Sequence, residues 1–159
     1  MRCSYSGKTL GYELTREEQR WLKCNQPKLF YFQEERKAYG YFSFRSSFQN
    51  CVIPDEYEIK IDFARLEYGM IPYVYEVGNR IERIAQLYNK PLIDLHQYED
   101  HHLCLIRPDI FLGLFLKRGF YISDLCILIN SFLYWQSFFY TFGKEPWPGE
   151  KHGLDWLNL

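Results

Sequence analysis

The sequence predicts an α+β domain in which helices pack at the end of a small antiparallel sheet. Three observations support this class: a helix-start signal near the N-terminus, three strand-like runs after it, and long apolar runs with helical spacing in the second half. A length of 159 residues fits one domain, so we expect residues 1–159 to form a single unit. The hydrophobic fraction of 47% provides enough apolar area to fold without disulfides or metal.

The first predicted helix begins after Thr15, because Thr15 and Glu18 have the spacing of a capping box, and Pro27 ends it. Three predicted strands follow, over residues 37–46, 57–64 and 72–77. The second strand alternates apolar with charged or polar residues, which is typical of a strand with one buried face.

Loops are predicted between these strands, at Pro54–Asp55 and at Glu67–Gly69. Strands joined by such short loops form an antiparallel meander. A short helix is predicted over residues 79–88, an extended or irregular segment over 91–108, and helices up to residue 142 with a break near Arg118–Gly119.

The run Ile122–Phe142 allows two interpretations. Its 21 residues include no Lys or Arg and one Asp, and that length can span a bilayer. Several polar residues recur along it at spacings that bring most of them together on a helix surface. A largely buried core helix with one polar stripe is therefore the favoured interpretation, and a membrane span is the alternative.

Charge and cysteine usage exclude several function classes. The chain has 19 Lys and Arg against 20 Asp and Glu, and no dense basic run, so neither a nucleic-acid nor a membrane partner is predicted. Five irregularly spaced cysteines without a CxxC pair do not fit a disulfide framework or a zinc ribbon. Residues 1–10 lack the apolar core of a signal peptide, so we expect a reduced, cytoplasmic protein.

The densest cluster of reactive side chains lies in residues 96–108, around Cys104. Leu103 and Leu105 flank this cysteine, and they are expected to anchor it to the core while an irregular backbone exposes it. Three interpretations stay open on local chemistry alone. Cys104 is a buried small hydrophobe, or a metal ligand, or a nucleophile activated by nearby positive groups. The metal ligands would be His96, His101, His102 and Cys104, a spacing that matches no standard zinc pattern. The activating groups would be His101, His102 or Arg107.

Two motifs in this order resemble the E2-like (ubiquitin-conjugating-enzyme-like) domains of bacterial CBASS antiphage systems. The first reads His96-Gln97-Tyr98, then Asp100, then Leu103-Cys104-Leu105. The second reads Trp147-Pro148-Gly149-Glu150, then His152-Gly153. Trp135, in the long aromatic run between them, is also similar to the family pattern. The resemblance covers about residues 37–153.

The resemblance implies a ubiquitin-conjugating fold, with an N-terminal helix, an antiparallel meander and C-terminal helices. Cys104 would carry the C-terminus of a partner protein as a thioester and transfer it to an amine, such as a target lysine. The implied partner is a cGAS-like nucleotidyltransferase. No Gly-rich nucleotide loop is present, so a separate E1-like protein would supply any activation, and no cofactor is expected.

The implied catalytic residues are Cys104, His96 and His102. Eukaryotic relatives have a His-Pro-Asn motif about eight residues before the cysteine, whose Asn is associated with stabilising the oxyanion. This chain lacks the motif and has His96 at that distance, which can donate a hydrogen bond instead. His101 and His102 either deprotonate the attacking amine or are solvated residues of a polar loop, and Asp100 either forms a turn or orients that amine. The alternative function is a catalytically inactive E2-like binding module, and the presence of Cys104 favours the enzyme.

Overall fold

The computed structural model describes residues 9–147. Its α-helices and strands in chain order are α1 (Arg16–Asn25), β1 (Leu29–Phe32), β2 (Lys37–Phe48), β3 (Cys51–Asp62), β4 (Tyr73–Glu76), α2 (Arg80–Leu87), α3 (Pro108–Arg118) and α4 (Ile122–Phe142), and short 3₁₀ helices cover Phe63–Tyr68 and Leu92–Leu95. The α+β class is confirmed, with an N-terminal helix, an antiparallel sheet and C-terminal helices. The predicted capping box is present at α1, where Thr15 and Glu18 bond to each other's backbone N–H groups.

The sheet has four strands in sequential order, β1-β2-β3-β4, and all its pairs are antiparallel. The sequence did not predict β1. A two-residue turn joins β2 to β3, and both of its residues, Gln49 and Asn50, have positive φ angles of 49° and 65°. Left-handed backbone at both positions matches the twist of the flanking strands, so this turn closes a long hairpin.

The predicted loop at Pro54–Asp55 is wrong, because both residues lie inside β3, where Pro54 pairs with Arg45 of β2. The fourth strand pairs only with the stretch of β3 from Ile59 to Asp62. Pro54 therefore has a single neighbouring strand, and a proline without an N–H is tolerated at such a position.

One face of the sheet is buried against α4. Tyr57, Ile59, Ile61 and Phe63 are all 0% exposed, which confirms the alternation predicted for this strand. The helix spans the predicted run Ile122–Phe142 and is buried along most of its length. Among residues 9–147, no helix combines the length and the apolar character needed to cross a bilayer.

Polar side chains of α4 connect the helix to other elements inside the core. The Gln136 amide donates a hydrogen bond to the backbone oxygen of Leu95 at 2.7 Å, and the Ser137 hydroxyl donates one to Asp55 at 2.8 Å. Burial of a polar group without a partner is unfavourable, so these bonds fix the position of the helix. The break before α4 lies at Gly119, as predicted, with a φ of 84°.

The cysteines occupy different environments. Cys51 and Cys104 are half-buried and free, Cys126 is buried and free, and burial raises the pKa of Cys126 to about 12. Cys24 takes part in a disulfide, which departs from the expectation that every cysteine is reduced. Of the predicted C-terminal motif, only Trp147 lies within the described residues. Its backbone oxygen accepts a hydrogen bond from the indole N–H of Trp135 at 2.9 Å.

Candidate functional site

The segment before Cys104 folds into a tight hairpin over residues 97–103, within the stretch predicted to be irregular. The backbone N–H of Tyr98 donates to the oxygen of His102 at 3.0 Å, and the N–H of His101 donates to the oxygen of Tyr98 at 2.8 Å. His101 closes this turn in a left-handed conformation, with a φ of 73°. The hairpin therefore places Tyr98 and His102 opposite each other, although they are four positions apart in the sequence.

Main-chain hydrogen bonds attach this hairpin to the sheet and to the preceding turn. The N–H of Leu103 donates to the oxygen of Val74 in β4, and the N–H of Cys104 donates to the oxygen of His96, both at 2.8 Å. Leu103 and Leu105 are buried, and Cys104 between them is half-buried. The two leucines are anchored in the core as expected, whereas Cys104 is half-buried instead of fully exposed.

The imidazole of His102 is stacked between two tyrosine rings. Its centroid lies 4.0 Å from that of Tyr73 and 4.2 Å from that of Tyr98, with interplanar angles of 5° and 22°. The guanidinium of Arg65 lies 3.6 Å from the Tyr73 ring centroid, within cation–π range. This stack restricts rotation of the His102 ring.

Asp100 fixes the hydrogen-bonding state of the same imidazole. A carboxylate oxygen of Asp100 lies 2.5 Å from Nδ1 of His102 and accepts a hydrogen bond from the His102 backbone N–H at 3.1 Å. Partial burial tends to raise the pKa of Asp100, but these hydrogen bonds from His102 outweigh it, so the pKa lies below its usual value. With the Nδ1 proton directed at Asp100, Nε2 of a neutral imidazole is the proton acceptor.

The thiol of Cys104 has a hydrogen-bond partner in Tyr98. The phenol oxygen of Tyr98 donates to Sγ of Cys104 at 3.5 Å. This hydrogen bond, together with partial burial, raises the pKa of Tyr98 to about 12. The phenol therefore keeps its proton at neutral pH and acts as a donor toward sulfur.

A groove of about 460 Å³ opens beside Cys104, between the segment before β4 and the start of α3. Met70, Ile71, Pro72, Leu105, Phe111 and Leu112 contribute apolar side chains to its walls. Among the described residues that line it, none is Asp, Glu, Lys or Arg. The polar end of the groove is formed by the side chains of Tyr73, Tyr98, His102 and Cys104. Pro108 at the first position of α3 sets the direction of the helix that forms one wall.

His96 contacts Cys104 through its backbone, and its ring packs on α4. Its backbone oxygen accepts the hydrogen bond from Cys104, while its imidazole lies edge-on to Trp135 with the centroids 5.0 Å apart. The residue lines a separate cavity of about 440 Å³, together with Lys90, Phe139 and Lys144. The predicted oxyanion role of His96 stays a prediction.

The other predicted activating groups have different partners. Arg107 forms a bidentate ion pair with Asp109, with distances of 3.2 and 2.8 Å, and both side chains are largely exposed. His101 contributes backbone groups to the hairpin turn, including an oxygen that accepts from the Gln97 amide at 3.0 Å. Within residues 9–147, no group of three or more His, Cys, Asp or Glu side chains is arranged to hold a metal ion.

The structure adds Tyr98, Tyr73 and Asp100 to the predicted set as direct neighbours of Cys104 or His102. Tyr98 and Asp100 stood in the sequence motif, but their contacts depend on the hairpin turn. Tyr73 belongs to a different strand, and no local pattern in the sequence connects it to His102.

Comparison with known proteins gave no match. No protein-family model matches the chain, and no curated protein or solved structure is significantly similar to it.

Proposed function

We propose that this protein is an E2-like acyl carrier with the ubiquitin-conjugating fold, acting in a bacterial antiphage pathway of the CBASS type. Cys104 carries the C-terminal acyl group of a partner protein as a thioester and transfers it to an amine. The observation that carries this proposal is the free, half-buried thiol of Cys104, which lines an uncharged groove together with His102, the partner of Asp100.

The order of elements supports the proposed fold. A capped N-terminal helix precedes a meander of four sequential strands, α2 and then the segment with Cys104 follow the sheet, and two helices complete the described chain. The same order is implied by the family that the Cys104 motif resembles. The fold alone does not define an activity, so the argument for catalysis rests on the site.

Charging is a transthioesterification at the acyl carbon. The thiolate of Cys104 attacks the acyl carbon held as a thioester by a separate E1-like protein, a new C–S bond forms, and the C–S bond to the E1 thiol breaks. The departing thiolate takes up a proton, which balances the proton that Cys104 gave up. By the resemblance, the acyl group is the C-terminus of a cGAS-like nucleotidyltransferase. Exposure of Cys104 between two buried leucines gives the thiol both access and a fixed position.

Transfer uses the Asp100–His102 pair as the base. A lysine amine attacks the thioester carbon, the C–N bond forms, and the C–S bond breaks with its electron pair going to sulfur. Nε2 of His102 takes the proton from the amine, and Asp100 stabilises the imidazolium through Nδ1. Stacking between Tyr73 and Tyr98 keeps the base oriented in the absence of substrate.

The groove accommodates the end of the acyl donor. Its walls are apolar and uncharged apart from the polar end at His102, so they favour an extended tail of small or apolar residues before the acyl carbon. A charged tail would lose hydration there without gaining a partner. The catalytic set of the proposal is Cys104 and His102, with His96 holding the Cys104 backbone.

The test is to express the protein with the products of neighbouring genes and to examine it on non-reducing gels. Wild type is expected to form a heavier adduct that a thiol reagent removes. Cys104→Ser is expected to lose it or to convert it to a thiol-resistant ester. Cys51→Ser, at the other half-buried free cysteine, is the matched control and is expected to behave as wild type.

Identical behaviour of wild type and Cys104→Ser, in cells where a partner is conjugated, would contradict the proposal. The protein would then be an inactive E2-like binding module. A cytoplasmic location is part of the proposal, and cell fractionation without detergent tests it.

A further inference from the structure

We infer that Tyr98 is a further catalytic residue, whose hydroxyl stabilises negative charge on Sγ of Cys104 both when the thiol attacks and when it leaves. The inference rests on the proposed function of Cys104 and names a group that the sequence motif does not assign. It is carried by the hydrogen bond from the Tyr98 hydroxyl to Sγ at 3.5 Å.

The position of this hydroxyl is set by the fold. Tyr98 and His102 are opposite residues of the 97–103 hairpin, and their rings stack at 4.2 Å, which restricts rotation of the phenol. Cys104 is fixed in turn by its backbone bond to His96. Donor and acceptor are therefore held together before any acyl group is bound, which is the condition for an effective charge-stabilising contact.

Sulfur becomes negative at two steps of the proposed reaction. In charging, Cys104 must lose its proton to become a nucleophile, and in transfer, the C–S bond breaks and its electron pair returns to sulfur. At both steps Tyr98 donates a hydrogen bond and keeps its own proton, which agrees with its raised pKa. The amine proton goes to His102 in transfer, so Tyr98 transfers no proton.

Two of the groups predicted to activate Cys104 have carboxylate partners. The guanidinium of Arg107 pairs with Asp109, and Nδ1 of His102 faces Asp100. The hydroxyl of Tyr98, by contrast, donates directly to Sγ. Donation to a charged acceptor is worth more than donation to a neutral one, so the contact strengthens as sulfur ionises.

The experiment compares the rate of Cys104 alkylation by iodoacetamide in wild type, Tyr98→Phe and Tyr75→Phe over a range of pH. The modified peptide is followed by mass spectrometry. Phenylalanine keeps the ring that stacks on His102 and removes only the hydroxyl. The control residue Tyr75 lies on β4, edge-on to His102 with the ring centroids 6.4 Å apart. Among the described residues, its hydroxyl makes no hydrogen bond to Cys104.

At neutral pH, Tyr98→Phe is expected to react about three- to sixfold more slowly than wild type. Phenylalanine removes a hydrogen bond that stabilises negative charge on the attacking sulfur, and a more nucleophilic sulfur offsets part of that loss. The deficit narrows as pH rises, and Tyr75→Phe follows wild type. Near-ultraviolet circular dichroism verifies that both variants keep the aromatic stack.

A Tyr98→Phe profile equal to or faster than that of wild type, in a folded protein, would overturn the inference. This assay needs no partner, so its result is independent of conjugation. If wild type forms no thiol-sensitive adduct on Cys104 while Tyr98→Phe is alkylated more slowly, the carrier function alone is refuted. Normal alkylation of Tyr98→Phe together with an intact wild-type adduct would refute the Tyr98 role alone.

Discussion

At the scale of single residues, the site depends on one thiol and the groups that surround it. Cys104 was predicted from its place between Leu103 and Leu105, because two leucines that enter the core leave the residue between them at the surface. The hydrogen bond from Tyr98 to Cys104 was not predictable, because it depends on the turn at His101. His101 has a left-handed φ there, and the sequence has no glycine at that position to indicate such a turn.

The Tyr98–Cys104 contact has a reciprocal consequence for the phenol. Its pKa is raised to about 12, chiefly because its proton is held in the hydrogen bond to sulfur. Cys104→Ala removes the acceptor and is expected to lower the pKa of Tyr98 toward its ordinary value of about 10. Titration of ¹³C-labelled tyrosine by NMR measures this change.

Cys51→Ala serves as the control for that titration, because Cys51 neighbours Tyr134 and is outside the Cys104 groove. It is expected to leave the Tyr98 signal unchanged. If Tyr98 titrates at the same pH in wild type and Cys104→Ala, the hydrogen bond does not form in solution.

The scale of elements separates what local patterns can predict from what they cannot. The capping box of α1 and the limits of α4 were evident in the sequence, since both depend on neighbouring residues. The hairpin turn at Gln49–Asn50 was missed because Pro54–Asp55 carries the stronger turn signal. At Pro54, β3 pairs with β2 on one side, and β4 does not extend far enough to pair with it on the other. The proline is therefore tolerated, but which strands pair at a given residue depends on the whole sheet and not on neighbouring residues.

The docking of α2 illustrates such a nonlocal link. Arg80 at the start of α2 forms a bidentate pair with Asp55 of β3, at 3.0 and 2.9 Å, and its guanidinium lies 4.0 Å from the Tyr57 ring centroid. Asp55 also accepts a hydrogen bond from Ser137 of α4 at 2.8 Å. The carboxylate of Asp55 therefore links both α2 and α4 to β3.

We predict that Arg80→Ala lowers the free energy of unfolding by about 1–3 kcal/mol at neutral pH, because Asp55 then loses a partner in a partly buried position. The control Arg83→Ala, at an exposed position of the same helix, is expected to change it by less than about 0.5 kcal/mol. Urea unfolding measures both. Equal stability of the two variants would contradict the proposed link.

The same pair predicts a pH dependence. Burial tends to raise the pKa of Asp55, but hydrogen bonds from Arg80 and Ser137 outweigh it, so the folded-state pKa is lowered. A lowered folded pKa contributes stability that is present above the unfolded value of about 4 and is lost as pH falls through the folded pKa. The stability gap between wild type and Arg80→Ala should therefore narrow in acid, as urea unfolding below about pH 4 would show.

At the scale of the whole molecule, the groove depends on the meeting of distant segments. The segment before β4 and the first turns of α3 are about 40 residues apart in the chain, yet both line the cavity beside Cys104. The sequence predicted each segment approximately, but the surface between them follows from packing on the buried sheet and α4. Residue patterns alone did not indicate an uncharged groove.

We predict that Leu112→Lys lowers adduct formation by about tenfold, because a charge in the apolar groove weakens binding of an apolar tail by about 1.4 kcal/mol or more. Leu112 is 46% exposed, so the fold should tolerate the change. Leu116→Lys, one turn later in α3 and 75% exposed outside the groove lining, is the control. Gel densitometry of the adduct compares them, and an equal effect of both substitutions would exclude a role for the groove.

The central claim is tested most directly by identifying the atom of this protein to which the partner's C-terminus is attached. The heavier species formed by wild type with the products of neighbouring genes would be isolated without thiol reagents, digested at low pH and mapped by mass spectrometry. The account predicts a branched peptide in which the C-terminal residue of the partner is joined by a thioester at position 104. A branch found only on a lysine or at another cysteine, with position 104 unmodified, would contradict it.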